Sequence, residues 1–149
     1  MRNVAKFLEL ANRGCLVISD GDGAGIAAQK EYARSNGWGI WLTLNDIMTD
    51  GKFLSSEDLL EHGAVIKRAN QFRKDYQTLC EFTEAHLPAQ ASTVRSLEEW
   101  LKSDGLVGDE LKQRMHELKN ALFHKLKAEE IVPQASKLLT FVQEHNFST

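Results

Sequence analysis

The chain has 149 residues, 42% hydrophobic and 26% charged, the length and make-up of one compact soluble domain or of one small domain with an appendage. Eighteen basic against twenty-one acidic side chains leave a formal charge of -3, which excludes a global positive field, so nucleic-acid binding has to come from a local patch or a metal. Two cysteines, Cys15 and Cys80, have neither the number nor the spacing of a disulfide framework or a zinc site, and no segment reaches the length of a membrane span. The expectation is a cytoplasmic protein with buried, reduced thiols and no membrane partner.

Val4, Phe7, Leu8 and Ala11 recur at helical spacing and predict a first helix of about three turns, closed near Gly14. Residues 15–18 form a short apolar run without polar alternation, as in a strand covered on both faces, and "SDGDG" stops it. A helical pattern follows over residues 24–35, and the aromatic and β-branched stretch 38–44 predicts a second strand. This is a β-α-β crossover, which implies two parallel strands. Two strands make a poor sheet, so the remaining strands are expected to be missing or to come from another chain.

From Ser55 onward the pattern is helical throughout. Ser55 and Ser56 before "EDLL" predict an N-cap with acids in the first turn. Ile66, Ala69, Phe72, Tyr76, Leu79 and Phe82 make one apolar stripe, read as a single helix ended by Pro88. Val94, Leu97 and Leu101 mark a shorter helix closed by Gly105, and Leu111, Met115, Leu118, Leu122 and Leu126 mark another. A last helix starts at about Pro133, with Leu138, Phe141 and Val142 facing inward. The predicted division is an α/β region, 1–54, and a helical region, 55–149.

Asp20 and Asp22 follow the first strand, where open α/β sheets place ligands and the next helix adds partial positive charge. Two crowded carboxylates repel unless a cation sits between them, and Mg²⁺ (or Mn²⁺) suits hard oxygen ligands and a phosphate oxygen together. Gly21, Gly23 and Gly25 would keep the loop bare for a phosphate to approach. The plain structural alternative is a turn in which Asp22 caps the next helix and Ser19 satisfies the strand end. A calcium loop would need Asp20, Asp22, Gly25 and Glu31 as its first, third, sixth and twelfth places, but Ala24 replaces a ligand and a strand precedes it. "LVISDGDGA" also resembles the haloacid dehalogenase phosphatase signature, which implies Asp20 as nucleophile and Asp22 as acid/base; Ala24 stands where that family has threonine, and no later strand ends in an acidic pair.

The whole phrase "CLVISDGDGAGIAAQKEYARSNGWGIWLTLNDI" most resembles the Asp-x-Asp end of a TOPRIM domain, the metal-binding module of bacterial primases, topoisomerases and overcoming-lysogenization-defect (OLD) nucleases. "WLTLNDIM", then "SSEDLL", then a helical tail is similar to the C-terminal part of OLD-family ATP-dependent endonucleases. The resemblance implies a partial TOPRIM, Rossmann-like parallel sheet with an all-helical C-terminal extension. It also implies magnesium-dependent DNA cleavage linked to phage defence or DNA processing, with Asp20 and Asp22 as metal ligands and Glu57 as a supporting carboxylate. A TOPRIM domain carries its catalytic glutamate on an earlier strand; here Glu9, in a helix, is a poor substitute, and no Walker glycine loop is present. The chain therefore reads as the C-terminal piece of a larger protein, completed by an ATPase/TOPRIM N-terminal partner or by self-association. The alternative is a noncatalytic remnant or split subunit.

Lys67, Arg68, Arg73 and Lys74 lie within two turns of one helix and could neutralise DNA phosphates, or else form a solvated face. Lys119, Lys125 and Lys127 are the tail lysines from which one could approach a scissile phosphate. His116 and His124 stand too far apart in sequence for a metal-ligand pair.

Overall fold

The structure, a computed structural model, describes residues 14–35, 37–48, 53–76, 79–89 and 91–145. The first predicted helix, with Val4, Phe7, Leu8, Ala11 and Glu9, lies outside the described residues. The protein is a mixed α/β chain, mostly helical, with a small parallel sheet. Two compact units divide it. One takes the chain through Ser56 together with the segment from Pro133 onward, and the other is Glu57–Val132. The expected boundary at 54/55 thus falls two residues early, and the C-terminal segment joins the α/β unit, not the helical one.

The α/β unit contains the predicted crossover. Strand β1 (Leu16–Ser19) leads into helix α1 (Gly23–Arg34) and then β2 (Ile40–Thr43), and the strands pair in parallel with Leu16 opposite Ile40 and Ser19 opposite Thr43. Among the described residues the sheet has these two strands. Cys15 and Tyr32 are buried with Val17 and Trp41 packed against them, and Trp41 Nε1 donates to Ser19 Oγ at 3.0 Å. A short helix, α2 (Leu44–Met48), follows β2 without a loop, a turn the sequence reading missed. Its signal was "TLND": Asp46 accepts from the Thr43 backbone N–H at 2.8 Å and from its hydroxyl at 2.9 Å, the reach of a capping box.

A 3₁₀ turn, Ser56–Leu59, leads into the helical unit, with Glu57 and Asp58 in its first turn as "SSEDLL" predicts. Helices α3 (His62–Arg73), α4 (Thr93–Ser103) and α5 (Gly108–Phe123) surround a core of Val65, Phe72, Phe82, Leu97, Trp100 and Leu118. Each helix turns its apolar stripe onto this core, as 3.6-residue spacing requires. Asp58 accepts the Thr93 N–H at 2.7 Å, so the turn also caps α4. The stripe from Ile66 to Phe82 is not one helix. The chain leaves α3 after Arg73, and Asn70 holds Phe82 through both backbone groups, Nδ2 to O at 2.7 Å and N to Oδ1 at 3.0 Å. Cys80, expected to be buried, is exposed for that reason, since it lies on the irregular return segment.

Back in the α/β unit, helix α6 (Ser136–Glu144) follows a 3₁₀ turn at Pro133–Ala135 and packs on α2. Val142, expected inward, is exposed, whereas Leu138 and Phe141 are half-buried. No helix among the described residues is long and apolar enough to cross a membrane.

Candidate metal and phosphate site

The "DGDG" loop is pinned from several sides within the α/β unit. Gly21 is buried; its N–H donates to the Leu54 carbonyl at 2.8 Å and its carbonyl accepts from Asn45 Nδ2 at 3.1 Å. Asp20 Oδ1 accepts the Ser56 N–H at 3.0 Å, so the carboxylate is held at the carboxyl end of β1. Asp22 is exposed and extended (φ -77°, ψ 176°), and its Oδ1 accepts the Gly25 N–H at 2.8 Å. It therefore is the N-cap of α1, the plain structural role weighed above. An Asp22→Ala variant is expected to lose about 1 kcal/mol of stability in urea denaturation while Asp22→Asn loses only a few tenths, because asparagine caps as well as aspartate. Equal losses for the two would remove the cap from the account.

The three glycines do different work. A Cβ on Gly25 would stand 1.8 Å from the Asp20 carbonyl oxygen, and one on Gly21 would stand 2.7 Å from the Asn45 side chain. Their bareness admits the protein's own atoms, which corrects the expectation that it serves a phosphate. Only Gly23, exposed and with nothing within 4 Å of an added Cβ, leaves space for an outside group. The calcium-loop reading fails on the same geometry, since residues from Gly23 to Glu31 are helical and not a ligating loop.

Asn45 and Asp46 were not singled out from sequence. Asn45 Oδ1 is buried with no hydrogen-bond partner among the described residues. Asp46 accepts from Thr43 and from Gln29 Nε2 at 2.9 Å, and the Thr43 backbone N–H is the main cause of a carboxyl pKa below its ordinary value.

The donor set decides which ion suits the loop. A carboxylate has about four acceptor positions, so one hydrogen bond does not exhaust it. Among the described residues no group of three or more His, Cys, Asp or Glu side chains is placed to hold a metal. That excludes a dedicated calcium or zinc cage built from them, yet two carboxylates are what Mg²⁺ commonly takes from a protein, with water and phosphate filling the rest. Asp20 and Asp22 supply two carboxylates on one loop.

The other predicted site residues lie in the helical unit. Glu57 is 3% exposed and meets Lys119 Nζ at 3.0 Å, which singles out Lys119 from the three tail lysines. It is therefore a first-turn acid of the 3₁₀ segment, buried in an ion pair. Lys127 is 3.9 Å from Glu129 at the surface, and Lys125 is exposed at φ 49°. Of the α3 cations, Lys67 and Lys74 are exposed, and Arg73 is half-buried with its guanidinium on the Leu79 carbonyl at 3.4 Å. Arg68 does not belong to a phosphate-binding face. It is 8% exposed and spends its donors on Glu130 and on three backbone carbonyls.

Comparison with protein-family models, with curated proteins and with solved structures gives no match to this chain.

Proposed function

We propose that the chain is the Asp-x-Asp part of a TOPRIM-type, magnesium-dependent DNA endonuclease of the OLD kind, with its sheet and acidic set completed by an N-terminal partner or a second copy. The observation that carries this reading is the pinned Asp20-Gly21-Asp22 loop at the carboxyl end of a parallel strand, directly ahead of a helix N-terminus. In it Asp20 and Asp22 bind the cation. Ser56 N–H fixes the first carboxylate and the α1 cap fixes the second, so neither has to be ordered when the cation arrives. Mg²⁺ or Mn²⁺ held there would supply Lewis-acid charge stabilisation and a lowered water pKa. Gly23 leaves room for a phosphate.

A second reading, a noncatalytic or split subunit, is favoured by the same donor set, which among the described residues stops at two carboxylates. The phosphatase reading has less support, because no strand follows β2 among the described residues to carry its second acidic pair.

Mn²⁺ titration followed by electron paramagnetic resonance tests the proposal on the full chain, beside Asp20→Asn and Asp22→Asn. The latter keeps the cap, so a change in its affinity is not a change in fold. Saturable binding weakened about tenfold or more by each variant is expected, each carboxylate being a direct ligand. No saturable binding, or undiminished binding in the double variant, overturns it. Nicking of supercoiled plasmid in the same Mn²⁺ separates the two readings: cleavage lost in the double variant supports the nuclease, and binding without cleavage supports the subunit.

A further inference from the structure

Within the helical unit a cavity of ≈ 410 Å³ opens between the Glu84–His86 turn, Pro88, Ala91 and one face of α4. That volume lies inside the roughly 300–1,000 Å³ range of small-molecule sites. Pro88, Ala91 and Trp100 supply apolar lining. Arg95, Ser96 and Glu99 face it from the helix at i, i+1 and i+4 spacing.

Two observations point to a ligand and not to a packing gap. Ser96 is 5% exposed, and its hydroxyl has no hydrogen-bond partner among the described residues, an expense that native interiors rarely leave standing. The Arg95 guanidinium makes no ion pair or hydrogen bond among the described residues either; the i, i+4 carboxylate of Glu99 lies 3.3 Å from Lys102 instead. His86 also lines the cavity, and its Nδ1 accepts the Thr83 N–H at 3.0 Å.

We propose that this cavity is a binding site for a small organic monocarboxylate with a flat apolar body of one or two rings. The Arg95 fork and the Ser96 hydroxyl take the carboxylate, and the ring lies against Pro88, Ala91 and Trp100. One guanidinium matches one negative charge. Glu99, on the same wall, opposes a second, which selects a carboxylate over a phosphate dianion.

The test is a titration of the full ¹⁵N-labelled chain with benzoate, phenylacetate, benzyl alcohol and phenyl phosphate, followed by two-dimensional NMR. Saturable shifts are expected with the carboxylates at millimolar concentration or below, centred on Arg95, Ser96 and the Trp100 indole N–H. Benzyl alcohol and phenyl phosphate should bind about tenfold more weakly or worse, as should benzoate to Arg95→Gln, each comparison removing or opposing the charge-assisted pairing. Arg95 is exposed, so this variant keeps the fold; Ser96→Ala should weaken binding several-fold. No saturable shift up to about 10 mM, equal binding by Arg95→Gln, or a preference for phenyl phosphate overturns the proposal.

Discussion

Arg68→Met is expected to lower the melting temperature by roughly 10 °C, the scale for stranding one partner of a buried ion pair in a chain of this size. Arg68 Nε and Nη2 grip Glu130 at 3.1 and 2.6 Å in the two-pronged geometry that only arginine offers. Nη1 and Nη2 also donate to the carbonyls of Ala121, His124 and Lys125, at 3.3, 2.7 and 3.4 Å, so the same side chain satisfies carbonyls at the C-terminal end of α5. Arg68→Lys rescues little, because a point charge cannot reproduce the fork. Differential scanning calorimetry reads the result, and a loss below about 3 °C would show that the pair contributes little.

The pH dependence follows from the same contact. Arg68 first, then the Lys127 backbone N–H, holds the Glu130 carboxyl at about 2, below its ordinary value of 4.5. A carboxyl depressed in the folded state binds protons more readily when unfolded, so its stabilisation is complete above about 4.5 and is lost as pH falls toward 2. Melting temperatures measured from pH 6 to pH 2 should fall less steeply in Glu130→Gln than in the natural sequence. Parallel curves would place the acid sensitivity elsewhere.

What could be read from sequence was local. The crossover was legible because an apolar run stopped by "SDGDG", a helical stripe and a β-branched stretch each obey one short-range rule, and β1, α1 and β2 lie within a few residues of their expected limits. The stripe from Ile66 to Phe82 misled because Leu79 and Phe82 do enter the same core as Phe72, only from an irregular segment held by the Asn70 side chain. Periodicity reports burial, and here burial outlives the helix. Arg68 was read as a surface cation for a similar reason: its partner, Glu130, is 62 residues away, and no local pattern announces such a pair. At the candidate site the two aspartates were legible as a pair, whereas the clamps on their loop, Ser56 on Asp20 and Leu54 and Asn45 on the Gly21 backbone, are contacts between distant segments.

Gly25→Ala is the substitution expected to damage that site most, by about 3 kcal/mol or more, or by loss of soluble protein. The new Cβ would meet the Asp20 carbonyl oxygen at 1.8 Å and its carbon at 2.9 Å, backbone atoms that no rotamer change can move aside. Relief requires α1 to shift away from β1, which breaks the Gly25 N–H to Asp22 Oδ1 cap and turns Asp20 off the Ser56 N–H together. Gly23→Ala, two residues earlier and with open space around its Cβ, should be neutral within about 0.5 kcal/mol or slightly stabilising, because alanine is the better helix former. Urea denaturation of the pair, with Mn²⁺ affinity measured wherever the protein folds, separates a glycine kept for the chain's own backbone from one kept for a ligand. If Gly25→Ala were as stable as the natural sequence, the close approach of α1 to the Asp20 carbonyl would not be part of the folded protein, and the pinned geometry of both carboxylates would go with it.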